Sequence, residues 1–291
     1  MLNRFRVLAD LLRVKQWIKN LLIFAALLFT GNIFNPLLLL KTITAFLLFS
    51  FTASALYIMN DLKDFKEDRL HPVKKLRPIA SGAVPHMYAA TVAGILIFLG
   101  LLGSYFLDFS FFLTVLSYAI LTTLYTYYLK HVVILDVFEV ALGFILRPIA
   151  GALVIGAVIS PWLLICTTLL ALFVILSKRR NELTVMEDAH KHRKILAEYS
   201  VPMLDQMINI VTASTVIAYS LYTFTSDTAS RHHLMMLTIP FVLYGIFRYL
   251  YLTHKKNMGG APEQIFLKDL PMIIDAVLWV VTSAAIIMLA K

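Results

Sequence analysis

The chain has 291 residues, of which 60% are hydrophobic and only 15% charged, and its mean hydropathy is +0.81. A water-soluble domain averages about 45–50% apolar and about 25% charged residues, so this chain lacks the polar side chains to cover itself in water, and lipid must be part of its solvent. Its net charge of +9 does not describe a nucleic-acid-binding face, because the basic residues fall in short clusters between apolar runs; anionic headgroups and phosphorylated ligands are the partners that pattern suits. The single cysteine, Cys166, lies in an apolar run, which excludes a disulfide framework and a cysteine-based metal site. The apolar stretch after Lys19 is too long for a cleavable signal peptide and lacks a small-residue cleavage signature.

A membrane span takes about 20 predominantly apolar residues. Runs of that kind predict an all-α bundle of nine transmembrane helices, roughly 17–34, 37–59, 86–107, 109–130, 132–158, 160–178, 204–226, 232–253 and 270–290, in a single polytopic domain over 1–291. Pro36, Pro85, Pro161, Pro202 and Pro271 fall near the proposed ends, where helix boundaries tolerate proline. With the N-terminus cytoplasmic, all of the 26 Lys and Arg except Lys41, Arg147, Arg231 and Lys291 lie on the inner side, which satisfies the positive-inside rule at every loop. That topology predicts a multi-pass protein of the inner (plasma) membrane with its C-terminus outside. Two long inner loops, Asn60–Pro85 and Lys178–Met203, carry most of the charge over a central cavity, and loops of that length in a compact domain are usually functional.

The first loop opens Asn60-Asp61-Leu-Lys-Asp64-Phe-Lys-Glu67-Asp68-Arg69. On a continuous helix, Asp61, Asp64 and Asp68 fall within about 60° of one another. Three carboxylates on one stripe repel unless a cation sits among them, and Mg²⁺ suits such an oxygen site with substrate phosphates. The same spacing also suits a solvated helix end in which Lys63, Lys66 and Arg69 form ion pairs with the acids.

Further along, Asp136, Glu139, Gly143 and Arg147 share one stripe of the fifth predicted helix, within about 80° of arc. Ionisable groups facing lipid are expensive, so these face the bundle interior, either towards a ligand or as a network tying helices together. Gly143 on that face permits close backbone approach. About 16 Å of helical rise keeps Asp136 and Arg147 from pairing directly. Lys178 and Glu182, at i and i+4, share a face beside Arg179, and the cluster reads as a positive-inside anchor or as a grip on phosphate. Tyr118, Tyr125, Tyr127 and Tyr128 suit a pocket lining or an interfacial belt. His190, His192, His232 and His233 do not have the spacing of a tetrahedral metal site and read as headgroup-level polar residues.

Asn60-Asp61-x-x-Asp64-x-x-x-Asp68 resembles the first aspartate-rich motif of the UbiA prenyltransferase superfamily. His71-Pro72, Arg77-Pro78-Ile79-Ala80-Ser81-Gly82 and the entry Lys15-Gln16-Trp17-Ile18-Lys19-Asn20 resemble its neighbouring segments. The similarity runs along essentially the whole chain. It implies that Asn60, Asp61, Asp64 and Asp68 hold Mg²⁺ against a diphosphate, with Arg77 as a phosphate contact. The second loop departs from the aromatic prenyltransferases, which carry a second aspartate-rich motif there; this chain has Ser177-Lys178-Arg179-Arg180-Asn181-Glu182-Leu183.

That segment, with Leu135-Asp136-Val137 and Gly143-Phe-Ile-Leu-Arg147-Pro-Ile-Ala-Gly151, resembles the decaprenyl-phosphate phosphoribosyltransferase branch. The implied reaction moves 5-phosphoribose from phosphoribosyl diphosphate to a polyprenyl phosphate, with a product used in lipid-linked pentose synthesis for the cell envelope. Lys178, Arg179 and Glu182 then belong to the donor site, Lys19 and Asn20 to the lipid phosphate, and Tyr128, Asp136 and Arg147 to the substrate-facing surface. Prenyl transfer to an aromatic or other small acceptor is the alternative enzyme. A transporter is the alternative of another class, although only Arg147 is deep and no two-half symmetry is visible. The sequence leaves a homo-oligomer open.

Overall fold

In the computed structural model, which describes residues 2–70, 73–185, 194–226, 233–256, 258–260 and 262–289, the α-helices follow in order. They are α1 (Leu2–Leu11), α2 (Ala25–Phe29), α3 (Pro36–Lys63), α4 (Phe65–Leu70), α5 (His86–Leu107) and α6 (Phe109–Tyr127). The rest are α7 (Leu135–Val154), α8 (Pro161–Val185), α9 (Val201–Thr225), α10 (Ile239–Lys255), α11 (Pro262–Lys268) and α12 (Leu270–Leu289). Among the described residues, 8 helices are long and apolar enough to cross a membrane: α3, α5 to α9, α10 taken with the 3-10 turns before it (Leu234–Lys255), and α12. His71, Pro72, His190, His192 and His232, and the side chain of His233, lie outside the described residues.

Local chemistry starts these helices where the sequence predicts. The Asn35 side chain accepts from the Leu37 and Leu38 N–H groups at 3.1 and 3.2 Å, with Pro36 in the first turn, where its missing N–H would have no partner. Asp108 caps α6 by accepting from the Phe111 N–H at 2.8 Å, and Ser200 caps α9 through the Met203 N–H at 3.3 Å. Close approach is set by small residues. A Cβ at Gly100 of α5 would overlap the Thr52 hydroxyl of α3, and one at Gly151 of α7 would overlap the Ile23 carbonyl.

Two expectations need correction. The first predicted span, 17–34, is not one α-helix: a 3-10 helix, Val14–Phe24, runs into the five residues of α2. Its three-residue repeat lines up Trp17, Asn20 and Ile23. The Trp17 indole donates to Ser54 at 3.0 Å and the Asn20 amide donates to Ser50 at 2.9 Å. Three residues of 3-10 helix and four of α-helix both rise about 6 Å, so this segment stays in step with the serines of antiparallel α3. The second predicted loop also begins later than expected. α8 continues to Val185, which places Lys178, Arg179 and Glu182 on its last turns.

Candidate active site

The charged residues collect at one end of the bundle, where α3 and α6 finish and α7 begins. α3 stops at Lys63, and Asp64 leaves helical geometry at φ −91° and ψ 12° before α4 begins. This break divides the expected stripe of three carboxylates. Asp61 and Asp68 are buried and share one arginine: Arg77 Nη1 donates to Asp61 Oδ1 at 2.9 Å and to Asp68 Oδ2 at 2.5 Å. Arg13 also pairs with Asp61, and Lys74 Nζ is 3.9 Å from Asp68 Oδ1. Asp64 instead accepts from Lys130 Nζ at 2.7 and 3.0 Å. Asn60, one residue before Asp61, is half-buried. Burial pushes the Asp68 carboxyl above the ordinary carboxylate range, against the downward pull of Arg77 and Lys74.

Among the described residues, no three acidic, histidine or cysteine side chains converge on one point. The aspartates offer oxygen donors that already hold cationic nitrogens, with Asp61 and Asp68 sharing one of them. That donor set fits Mg²⁺, which binds through one or two carboxylates and completes its shell with waters and substrate phosphates.

The second group belongs to α7 and α8. Asp136, 0% exposed, accepts from Arg179 Nε at 3.1 Å and from the Tyr199 hydroxyl at 2.7 Å. Arg179 also donates to Glu182 at 3.1 Å, and the Ile134 N–H donates to the Tyr199 oxygen at 2.8 Å. Burial first, and then the bond to Asp136, push the Tyr199 hydroxyl up to about 12, so it keeps its proton and donates at neutral pH. Arg179 is thus a buried tie between two carboxylates. Lys74, beside Asp68, lies within electrostatic range of both Glu182 and Lys178 at the end of α8.

Deeper in α7, Arg147 is 3% exposed and donates to Asn20 at 2.7 Å, to the Tyr118 hydroxyl at 3.3 Å and to the Gly143 carbonyl. Both ends of the Asn20 carboxamide are therefore engaged, one by Arg147 and the other by Ser50. Lys19 Nζ lies 5.9 Å from the Phe144 ring centroid. Tyr128 is exposed at the end of α6, and its side chain makes no hydrogen bond among the described residues. Sequence reasoning missed Arg13, Lys130 and Tyr199 as partners of Asp61, Asp64 and Asp136. Each meets its carboxylate from 48 to 66 residues away, a distance at which helical spacing carries no signal.

The fold and this end of it define a polytopic α-helical membrane protein with interlocked acidic and basic groups suited to an anionic, cation-bearing ligand. The chain belongs to the UbiA prenyltransferase family, whose profile matches residues 21–268, and is a transferase of that family. It is 32% identical over 279 residues to the decaprenyl-phosphate phosphoribosyltransferase of Mycobacterium tuberculosis, covering 94% of this chain and 92% of the relative. The enzyme of the same name from Mycolicibacterium smegmatis is 34% identical, with 94% and 90% covered. A UbiA homolog from Archaeoglobus fulgidus, solved bound to GPP and Mg²⁺, shares the fold with a TM-score of 0.74 at 20% identity, covering 96% of this chain and 99% of that one.

Proposed function

We propose that the protein transfers 5-phosphoribose from phosphoribosyl diphosphate to a polyprenyl phosphate, releasing diphosphate, at the cytoplasmic face of a plasma membrane. The observation that carries this reading is the end of α8, whose Glu182 and Lys178 lie within electrostatic range of Lys74, the neighbour of Asp68. A site for a prenyl diphosphate and an aromatic acceptor would call for a second carboxylate cluster there, and α8 presents Lys178 and Arg179 with Glu182. The names of relatives that align along 94% of the chain support the same reaction.

In this reading Asp61 and Asp68 would hold the diphosphate through Mg²⁺, with Asn60 beside them and Asp64 joining only on leaving Lys130, and the ion when bound supplies positive charge to offset the leaving group. Arg77 swings from Asp61 and Asp68 onto a phosphate oxygen, and Lys178 receives the sugar 5-phosphate. Arg179 keeps Asp136 and Glu182 in place. An oxygen of the lipid phosphate bonds to ribose C1 as the bond from C1 to the diphosphate oxygen breaks, and the diphosphate leaves with the electron pair. The attacking oxygen is already anionic at neutral pH, so no general base is needed. Lys19, whose side chain extends back toward headgroup level from about 10 Å along the 3-10 helix, steers the lipid phosphate, and Arg147 fixes the helices around it.

The topology proposed has nine crossings. The 3-10 helix and α2 together rise about 30 Å, enough for the hydrocarbon core. The positive-inside pattern supports an N-terminus and site in the cytoplasm.

Thermal unfolding of the detergent-solubilised protein with Mg²⁺ tests the donor. Stabilisation by phosphoribosyl diphosphate that chelation abolishes is the expected result. Stabilisation by a prenyl diphosphate alone would return the protein to prenyl transfer.

A further inference from the structure

One buried carboxylate has no place in the scheme above. Glu139 sits on α7 between Asp136 and Arg147 and is 5% exposed, yet it makes no hydrogen bond or ion pair among the described residues. Arg147 and Tyr118 lie within electrostatic range of it, but the guanidinium of Arg147 is committed to Asn20, Tyr118 and the Gly143 carbonyl. Its neighbour a turn earlier, Asp136, is engaged by Arg179 and Tyr199. Its oxygens are not among the fully sealed, unpaired polar atoms of the interior, but a carboxylate largely buried with no protein donor still carries a desolvation cost. A ligand that brings donors removes that cost.

α7 packs against the 3-10 helix, α3, α6 and α8, so the face carrying Glu139 is turned into the bundle. Along α7 it stands about 4.5 Å from Asp136, between the Asp136–Arg179 pair and Arg147. Phosphate and diphosphate oxygens are acceptors and offer a carboxylate nothing, and a hydrocarbon chain offers it less. Sugar hydroxyls are donors, and a carboxylate is the acceptor suited to them.

We propose that Glu139 is a specificity-determining residue that accepts hydrogen bonds from the hydroxyl groups of the donor's sugar, selecting a hydroxylated glycosyl diphosphate over a prenyl diphosphate. This rests on the phosphoribosyl-transfer reading and adds to it the group that reads the sugar. A site built to bond a substrate hydroxyl discriminates strongly against a ligand lacking it, because its own buried group is then left unpaired.

The test is equilibrium binding, with Mg²⁺, of phosphoribosyl diphosphate, its 2-deoxy and 3-deoxy analogues, and inorganic diphosphate, to the wild type and to Glu139→Gln. The wild type should prefer phosphoribosyl diphosphate to inorganic diphosphate and to at least one deoxy analogue. Glu139→Gln should reduce those preferences about tenfold or more while leaving inorganic diphosphate affinity unchanged, which also shows that the fold is intact. A variant that keeps the wild-type preferences overturns the assignment of Glu139 alone. A wild type with no preference for the sugar-bearing ligand overturns both the assignment and the reaction it rests on. If Glu139→Gln also loses inorganic diphosphate, Glu139→Asp is measured in its place under the same criteria.

Discussion

Arg77 and Arg179 each bridge two carboxylates, and their surroundings separate them. Arg77 joins Asp61 to Asp68 from the segment after a short 3-10 turn, with 27% of its side chain exposed. Arg179 joins Asp136 to Glu182 from within α8, with 4% exposed and Tyr199 closing the far oxygen of Asp136. The same ion pairing therefore does two jobs. Where solvent reaches the guanidinium and a short loop carries it, an incoming anion and cation can replace the pair. Where a helix fixes it in the dry interior, removing one partner strands the other charges.

The comparison breaks most clearly if Arg179 proves expendable. Arg179→Met should destabilise the protein by about 3–5 kcal/mol, read by thermal or denaturant unfolding in detergent, because Asp136 and Glu182 lose their shared cation. Unchanged stability with only weaker donor binding would place Arg179 beside Arg77 as an exchangeable group. Asp68→Asn should act in the opposite sense. Turnover falls by about 10²–10³-fold with little change in the unfolding midpoint, since the side chain keeps its shape and Arg77 keeps Asp61 as a partner.

Tyr199→Phe sharpens the picture of the closed cluster. It removes a donor to a buried carboxylate and an acceptor for the Ile134 N–H, and it should lower stability by about 1.5–3 kcal/mol. Because burial and Asp136 hold that hydroxyl near 12, the loss should be the same at pH 6 and pH 9. The smallest effect is a pH dependence at the open cluster. Asp68 must be ionised to accept from Arg77 or to hold a cation, and burial raises its carboxyl above the usual value of about 3.9. Acidification then protonates it early, so Mg²⁺-dependent donor binding should weaken as pH falls while still above pH ~4. A midpoint at or below about 3.9 would show that the Asp68 carboxyl is not raised.

Much of this architecture can be read directly from the residues. Apolar runs bounded by Pro36, Pro161 and Pro202 mark helices that the structure shows at nearly the same places, because caps and breakers act within one turn. The 3-10 winding of Val14–Phe24 was not legible. It depends on matching Ser50 and Ser54 of another helix, and nothing inside the segment demands it. The stripe of Asp136, Glu139 and Arg147 was correctly expected to be buried, since charge on a lipid-facing surface is prohibitive. The aspartate stripe was misjudged at one residue. Asp64 steps out of the helix, and its cation comes from Lys130, on the far side of three intervening α-helices in the chain.

Transfer chemistry itself is the most direct test of the account. Purified protein is incubated with Mg²⁺, a polyprenyl phosphate and phosphoribosyl diphosphate labelled in its sugar, and the organic and aqueous phases are counted. Label entering the organic phase, lost on chelation and in Asp68→Asn, is the predicted result. Label that remains aqueous while the same preparation consumes a prenyl diphosphate with an aromatic acid would contradict it, and Lys178 and Arg179 would then be a membrane anchor and a structural tie.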